Sequence, residues 1–156
     1  MLIFGAVVVM IARVKAPDAA PPTESAHQLI ELLSIVHVAL ALILYPTAIT
    51  LYNRAYDPRQ LQQQLNEAGS VPEARAQTCL QIMRTAHILR LAPVEGVAMF
   101  GLVVCLLGVQ SDVLAAFPRY WLNLFSSVIL LAMVAANLPG KESLLSEFRR
   151  KILTVF

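Results

Sequence analysis

Residues 29–52, 86–109 and 120–138 each form a run long and apolar enough to cross a membrane, and this restricts the fold more than any other feature of the chain. About 20 helical residues suffice to cross a hydrocarbon core of about 30 Å. A fourth apolar run, residues 1–12, reaches only roughly 18 Å before Arg13 and Lys15 interrupt it. Its basic residues follow the apolar stretch instead of preceding it, and no small-residue cleavage site is evident, so a signal peptide fits poorly. The run reads as a first transmembrane helix whose natural start lies upstream of Met1. The expected fold class is therefore all-α: an integral membrane protein with four transmembrane helices in hairpins over residues 1–140.

Composition agrees with this. Of 156 residues, 58% are hydrophobic and 14% charged, against roughly 25% charged in a soluble domain. The net charge of +2 comes from scattered Lys and Arg without a basic stripe, which argues against a nucleic-acid partner. Cys79 and Cys105 form no metal-ligand cluster, and on one continuous helix they would stand roughly 39 Å apart, too far to bridge. His37 and His87 fall at heights roughly 18 Å apart on antiparallel spans, which argues against a haem held between them. No HExxH, CxxCH, GxSxG or phosphate-cradling Gly motif occurs. No metal, no cofactor and no enzymatic activity are expected.

Charge orients the spans, because cytoplasmic loops carry the excess of Lys and Arg. With four helices, Arg54, Arg59, Arg75 and Arg84 share a side with Lys141, Arg149, Arg150 and Lys151, whereas Arg13, Lys15 and Arg119 fall opposite. The loop 53–84 and both termini are accordingly expected in the cytoplasm, with the Pro-rich segment 16–25 outside, as in a bacterial inner-membrane protein.

The cytoplasmic segments carry helix signals. Asp57-Pro58 reads as an N-cap followed by proline at the first helical position, opening a short polar helix that stops at Ala68-Gly69. Ser70-Val71-Pro72-Glu73 fits a capping box. A helix running from there through Val109 would project roughly 20 Å from the membrane as a docking surface, unless the segment folds back as a separate loop helix. After a break at Asn137-Leu138-Pro139-Gly140, residues 141–156 place Leu144, Leu145, Phe148, Ile152 and Val155 at helical spacing opposite Arg149, Arg150 and Lys151. Such an amphipathic tail suits contact with anionic lipid or with a partner protein.

Ionisable side chains at membrane depth are expensive enough to be candidates for function. Glu95 is the foremost. It sits roughly 16 Å in from Arg84, near the midplane, and follows Pro93, which frees a backbone carbonyl one turn earlier. If the second and third spans form an antiparallel hairpin, Tyr45 and His37 lie about one turn to either side of the level of Glu95, within reach of a hydrogen bond. Two readings stay open. Glu95, His37 and Tyr45 bind a proton or cation, or they form a buried polar network that fixes helix register. Arg90, inside the third span, reaches toward the cytoplasmic interface or toward a neighbouring subunit.

The run Glu95-Gly96-Val97-Ala98-Met99-Phe100-Gly101-Leu102-Val103-Val104-Cys105-Leu106-Leu107 resembles the carboxylate helix of rotary ATP synthase proteolipid (c-type) subunits. That resemblance implies that Glu95 matches the family's ion-binding carboxylate. Proteolipids pair this helix with a Gly-repeat helix, whereas residues 29–52 contain no glycine. The chain also looks like a loosely defined group of small four-helix bacterial membrane proteins, through Ile-Leu-Arg-Leu-Ala-Pro-Val-Glu-Gly at 88–96 and Pro-Gly-Lys-Glu at 139–142. This implies the architecture but no particular activity. The expected role is a non-enzymatic membrane subunit packed against other membrane protein subunits or further copies of itself. The alternative is a proteolipid-like proton or cation carrier using Glu95.

Overall fold

The computed structural model describes residues 6, 10, 21–69, 71–136 and 146. Every regular element among them is helical. They are α1 (Glu24–Ala55), α2 (Pro58–Glu67), α3 (Pro72–Gln110), α4 (Val113–Ala116), a 3-10 segment (Pro118–Leu124) and α5 (Phe125–Ala136). Three stretches are long and apolar enough to cross a membrane: Glu24–Ala55, Pro72–Gln110 and Pro118–Ala136, with mean hydropathy 2.2, 2.0 and 1.5. Their outer faces suit lipid rather than water, since Leu42 is 71% exposed and Ile35 61%, and a soluble monomer rarely leaves so much contiguous apolar surface open. The chain is a helical membrane protein. Apart from residues 6, 10 and 146, the expected span 1–12, the break at 137–140 and the tail 141–156 lie outside the described residues, as does Ser70 of the expected capping box.

The chain divides into two compact units, and the divisions fall at Tyr45/Pro46 in α1, at Pro93/Val94 in α3 and at Met133/Val134 in α5. Helices α1 and α3 continue through their prolines, each of which removes one backbone N–H from the helical ladder.

The first unit takes in Met1–Tyr45 and Val94–Met133. Thr23 caps α1: its hydroxyl accepts from the Ala26 N–H at 3.4 Å and its carbonyl from the His27 N–H at 3.0 Å, which satisfies donors a helix start leaves free. The apolar centre of this unit is Ile30, Val104, Cys105, Val113, Leu114 and Tyr120, none more than 5% exposed. The chain reverses after α3 through Asp112 at φ 61°, a left-handed conformation that Asp tolerates better than most residues. This returns Leu114 onto Gly108, where a Cβ would collide with the Leu114 Cδ1.

The expected α-helical span at 120–138 instead begins as 3-10 winding over Pro118–Leu124 and becomes α-helical at Phe125. The cause is local. Pro118 forces an extended residue before it, here Phe117 at φ −128° and ψ 84°. The Asn123 side chain then donates to the Tyr120 carbonyl at 2.9 Å, a local side-chain bond of the kind that competes with the regular ladder.

The second unit takes in Pro46–Pro93 and Val134–Phe156. Here α2 forms as expected. The Asp57 carboxylate accepts from the Arg59 N–H at 2.9 Å, Pro58 opens the helix, and Ala68 with Gly69 at φ +77° closes it. Leu61 and Leu65 fall on one face and are buried with Tyr56 against Cys79, Ile82, Met83 and Ala86 of α3. The helix expected to project from the third span is thus one continuous α3. One face of it, at residues 79–86, is covered by α2 of the same chain, while its first turn and its other faces there stay exposed. Arg90 lies over the Tyr52 ring, its Cζ 5.2 Å from the centroid, and the same ring packs edge-on against Tyr56 at 5.3 Å.

Candidate functional site

Three polar groupings stand in the first unit. The most buried joins α1, α3 and the 3-10 segment with α5. His37, Asn123 and Ser126 are each 5% exposed. The Asn123 amide nitrogen donates to the Tyr120 carbonyl and to the Ser34 hydroxyl, both at 2.9 Å. A carbonyl only accepts, so the amide orientation is fixed and Oδ1 faces His37 Nδ1 at 2.8 Å. Oδ1 also only accepts, and His37 therefore carries a proton on Nδ1. The Ser34 hydroxyl in turn donates to the Ile30 carbonyl at 2.8 Å.

The hydroxyl of Ser126 lies 3.1 Å from His37 Nε2 and 3.1 Å from the Asn123 carbonyl. It has one proton for two neighbours. The network closes only because residue 101 is glycine. A Cβ there would clash with the Asn123 carbonyl and come within 2.8 Å of Ser126 Oγ and 2.9 Å of His37 Cε1. This is a closed register lock with directional bonds, of the kind that holds membrane helices where apolar packing alone discriminates poorly.

The second grouping is His27, Phe117, Arg119 and Tyr120. The His27 ring stacks on Phe117 at 4.3 Å with 10° between planes. Arg119 Nη2 donates to the Tyr120 hydroxyl at 2.9 Å, and that hydroxyl is hydrogen-bonded to His27 Nε2 at 3.0 Å. The guanidinium also lies over the Tyr120 ring at 4.9 Å.

The third is Glu95 itself. It is exposed, and no hydrogen bond or ion pair to it is present among the described residues. Beside it Gly96 has open space where a Cβ would stand. Met99, Val103 and Leu107 follow on the same broad face, 39%, 41% and 36% exposed.

Neither expected donor reaches Glu95. His37 is engaged by Asn123 and Ser126. The Tyr45 hydroxyl is buried and has no hydrogen-bond partner among the described residues. Arg149, Arg150 and Lys151 lie outside the described residues. Asn123, Ser126 and Gly101 were not singled out from sequence, although an Asn with a Ser three residues on in an apolar run places two polar groups on one helix face. Among the described residues no three His, Cys, Asp or Glu side chains come together as a metal site, and Cys79 and Cys105 are free. Comparison with protein-family models, with curated proteins and with solved structures finds no match to this chain.

Proposed function

We propose that this protein is a non-enzymatic integral membrane subunit that docks, through the face of α3 around Glu95, against helices of other chains in a larger assembly. The observation that carries this reading is Glu95, exposed within an apolar helix and without a partner among the described residues. A carboxyl group facing lipid alone is costly, so such residues pair with another chain, a cavity or a cofactor. Gly96 lets a neighbouring backbone approach closely beside it, as small residues do at membrane helix contacts. The charge balance favours both termini on the cytoplasmic side of a bacterial inner membrane, with residues 141–156 as an amphipathic helix whose Arg149, Arg150 and Lys151 meet anionic lipid or the partner.

A second reading rests on the same outward placement. A carboxylate on the rim of the helix bundle, in a run resembling the proteolipid carboxylate helix, suits a proton or cation carrier that exchanges its ion with a neighbouring chain. Site-specific photo-crosslinking in native membranes tests the docking face. A photoreactive residue at Met99 is expected to capture protein, and one at Leu42 on α1 to capture lipid. Capture of lipid alone at Met99 would overturn docking by this face.

A further inference from the structure

The first unit carries an open groove of about 460 Å³ along α1, bordered also by Arg119 and Tyr120 of the 3-10 segment. Its wall on α1 is one helical stripe, from Glu31 through Ile35, Val38 and Ala39 to Leu42. At 1.5 Å per residue that stripe is roughly 16 Å long, about half of a 30 Å hydrocarbon core, or one leaflet.

The two ends differ in chemistry. The far end is aliphatic. The near end holds Glu31 and Arg119, both exposed, and Glu31 lies close enough to favour the Arg119 cation electrostatically. Among the described residues Arg119 spends only Nη2 on hydrogen bonds, to Tyr120 at 2.9 Å and His27 at 3.4 Å. Its remaining N–H donors keep the planar fork that matches phosphate oxygens. Glu31 has no hydrogen bond among the described residues.

We infer that this groove is a binding site for one zwitterionic phospholipid of the phosphatidylethanolamine type. An acyl chain lies along Ile35, Val38, Ala39 and Leu42, the phosphate sits on Arg119, and the ammonium is held by Glu31. Separated opposite charges at the mouth of a groove one leaflet deep complement a zwitterionic headgroup. A purely anionic headgroup satisfies Arg119 but sets its net charge against Glu31. The box formed by His27, Phe117 and Tyr120 holds the guanidinium in place before the lipid arrives, which reduces the ordering cost of binding. The site does not depend on what Glu95 does.

The test uses the full chain in nanodiscs of equal parts phosphatidylethanolamine and phosphatidylglycerol, with retained lipid identified by native mass spectrometry. One phosphatidylethanolamine per chain is expected, preferred over phosphatidylglycerol by at least fivefold. Arg119→Gln should lower retention of both lipids about tenfold. Glu31→Gln should keep phospholipid retention and abolish the headgroup preference. Ala39→Trp, which fills the aliphatic part and leaves the charges untouched, should displace both lipids, with helical circular dichroism confirming that the bundle is intact. Wild-type retention in Arg119→Gln or in Ala39→Trp would overturn the site, and a phosphatidylethanolamine preference left unchanged by Glu31→Gln, or absent from the wild type, would overturn the headgroup assignment.

Discussion

At the scale of single residues, the buried polar groups of the first unit separate into satisfied and unsatisfied ones, and they should respond to mutation in opposite directions. Asn123→Leu removes the acceptor for His37 Nδ1 and the donors to Ser34 and the Tyr120 carbonyl. Each buried group left without a partner costs roughly 1–3 kcal/mol. Gly101→Ala reaches the same network by steric means, driving a methyl group into the Asn123 carbonyl, and overpacking of this kind costs about 1–3 kcal/mol. Tyr45→Phe should behave otherwise. The Tyr45 hydroxyl is buried with no partner among the described residues, so its removal relieves a desolvated polar group and should leave stability unchanged or raise it by about 1 kcal/mol. Unfolding of the three variants in one detergent, followed by circular dichroism, checks the order. Loss of stability in Tyr45→Phe comparable to that in Asn123→Leu would show that the hydroxyl has a partner.

Among the elements, α2 is the clearest case of local signals agreeing with tertiary packing. Its cap, its opening proline and its closing glycine are written within a dozen residues, and its only buried side chains are Leu61 and Leu65. The two kinds of contribution should separate experimentally. Asp57→Ala removes the cap and should cost about 1 kcal/mol, whereas Leu61→Ala opens a cavity against α3 and should cost roughly 2–5 kcal/mol. Protease susceptibility of residues 53–84 in reconstituted protein gives a direct readout, with Leu61→Ala cut much faster than wild type and Asp57→Ala only slightly faster. Equal rates would mean that α2 holds by its own propensity instead of by docking on α3. The 3-10 segment is the contrasting element. Nothing in its apolar run predicts the winding, which follows from Pro118 and from the hold of Asn123 on the Tyr120 carbonyl.

For the molecule as a whole, Glu95→Gln is the substitution on which the two functional readings divide. Glutamine keeps the shape and hydrogen-bonding capacity of the side chain but cannot exchange a proton. For a docked subunit, Glu95→Gln should assemble and work nearly as wild type, while Glu95→Ala strips the interface of a polar contact and should weaken assembly by roughly 1–3 kcal/mol. For an ion carrier, Glu95→Gln should fold and assemble but lose activity. Measuring assembly and activity of both variants in the native membrane decides the matter, and the docked-subunit outcome is the one expected. A Glu95→Gln protein that assembles but is inactive would transfer the function to the carrier reading.

Length, apolar runs and capping residues are local properties. Residues 29–52 and 86–109 had to be helical in a membrane whatever they packed against, because their mean hydropathy and length allow little else. Asp57, Pro58 and Gly69 set the limits of α2 for the same reason, each satisfying or removing a backbone group close by in sequence. Which polar side chains meet is not local. The spacing of His37, Tyr45 and Glu95 allowed a shared network, since axial height along two helices can be read from residue number. The rotation of one helix about its axis relative to the next cannot, and it is fixed by where small residues permit close approach. At Gly101 that approach brings Asn123 and Ser126 onto His37, which closes the network without Glu95 and leaves the carboxylate facing outward.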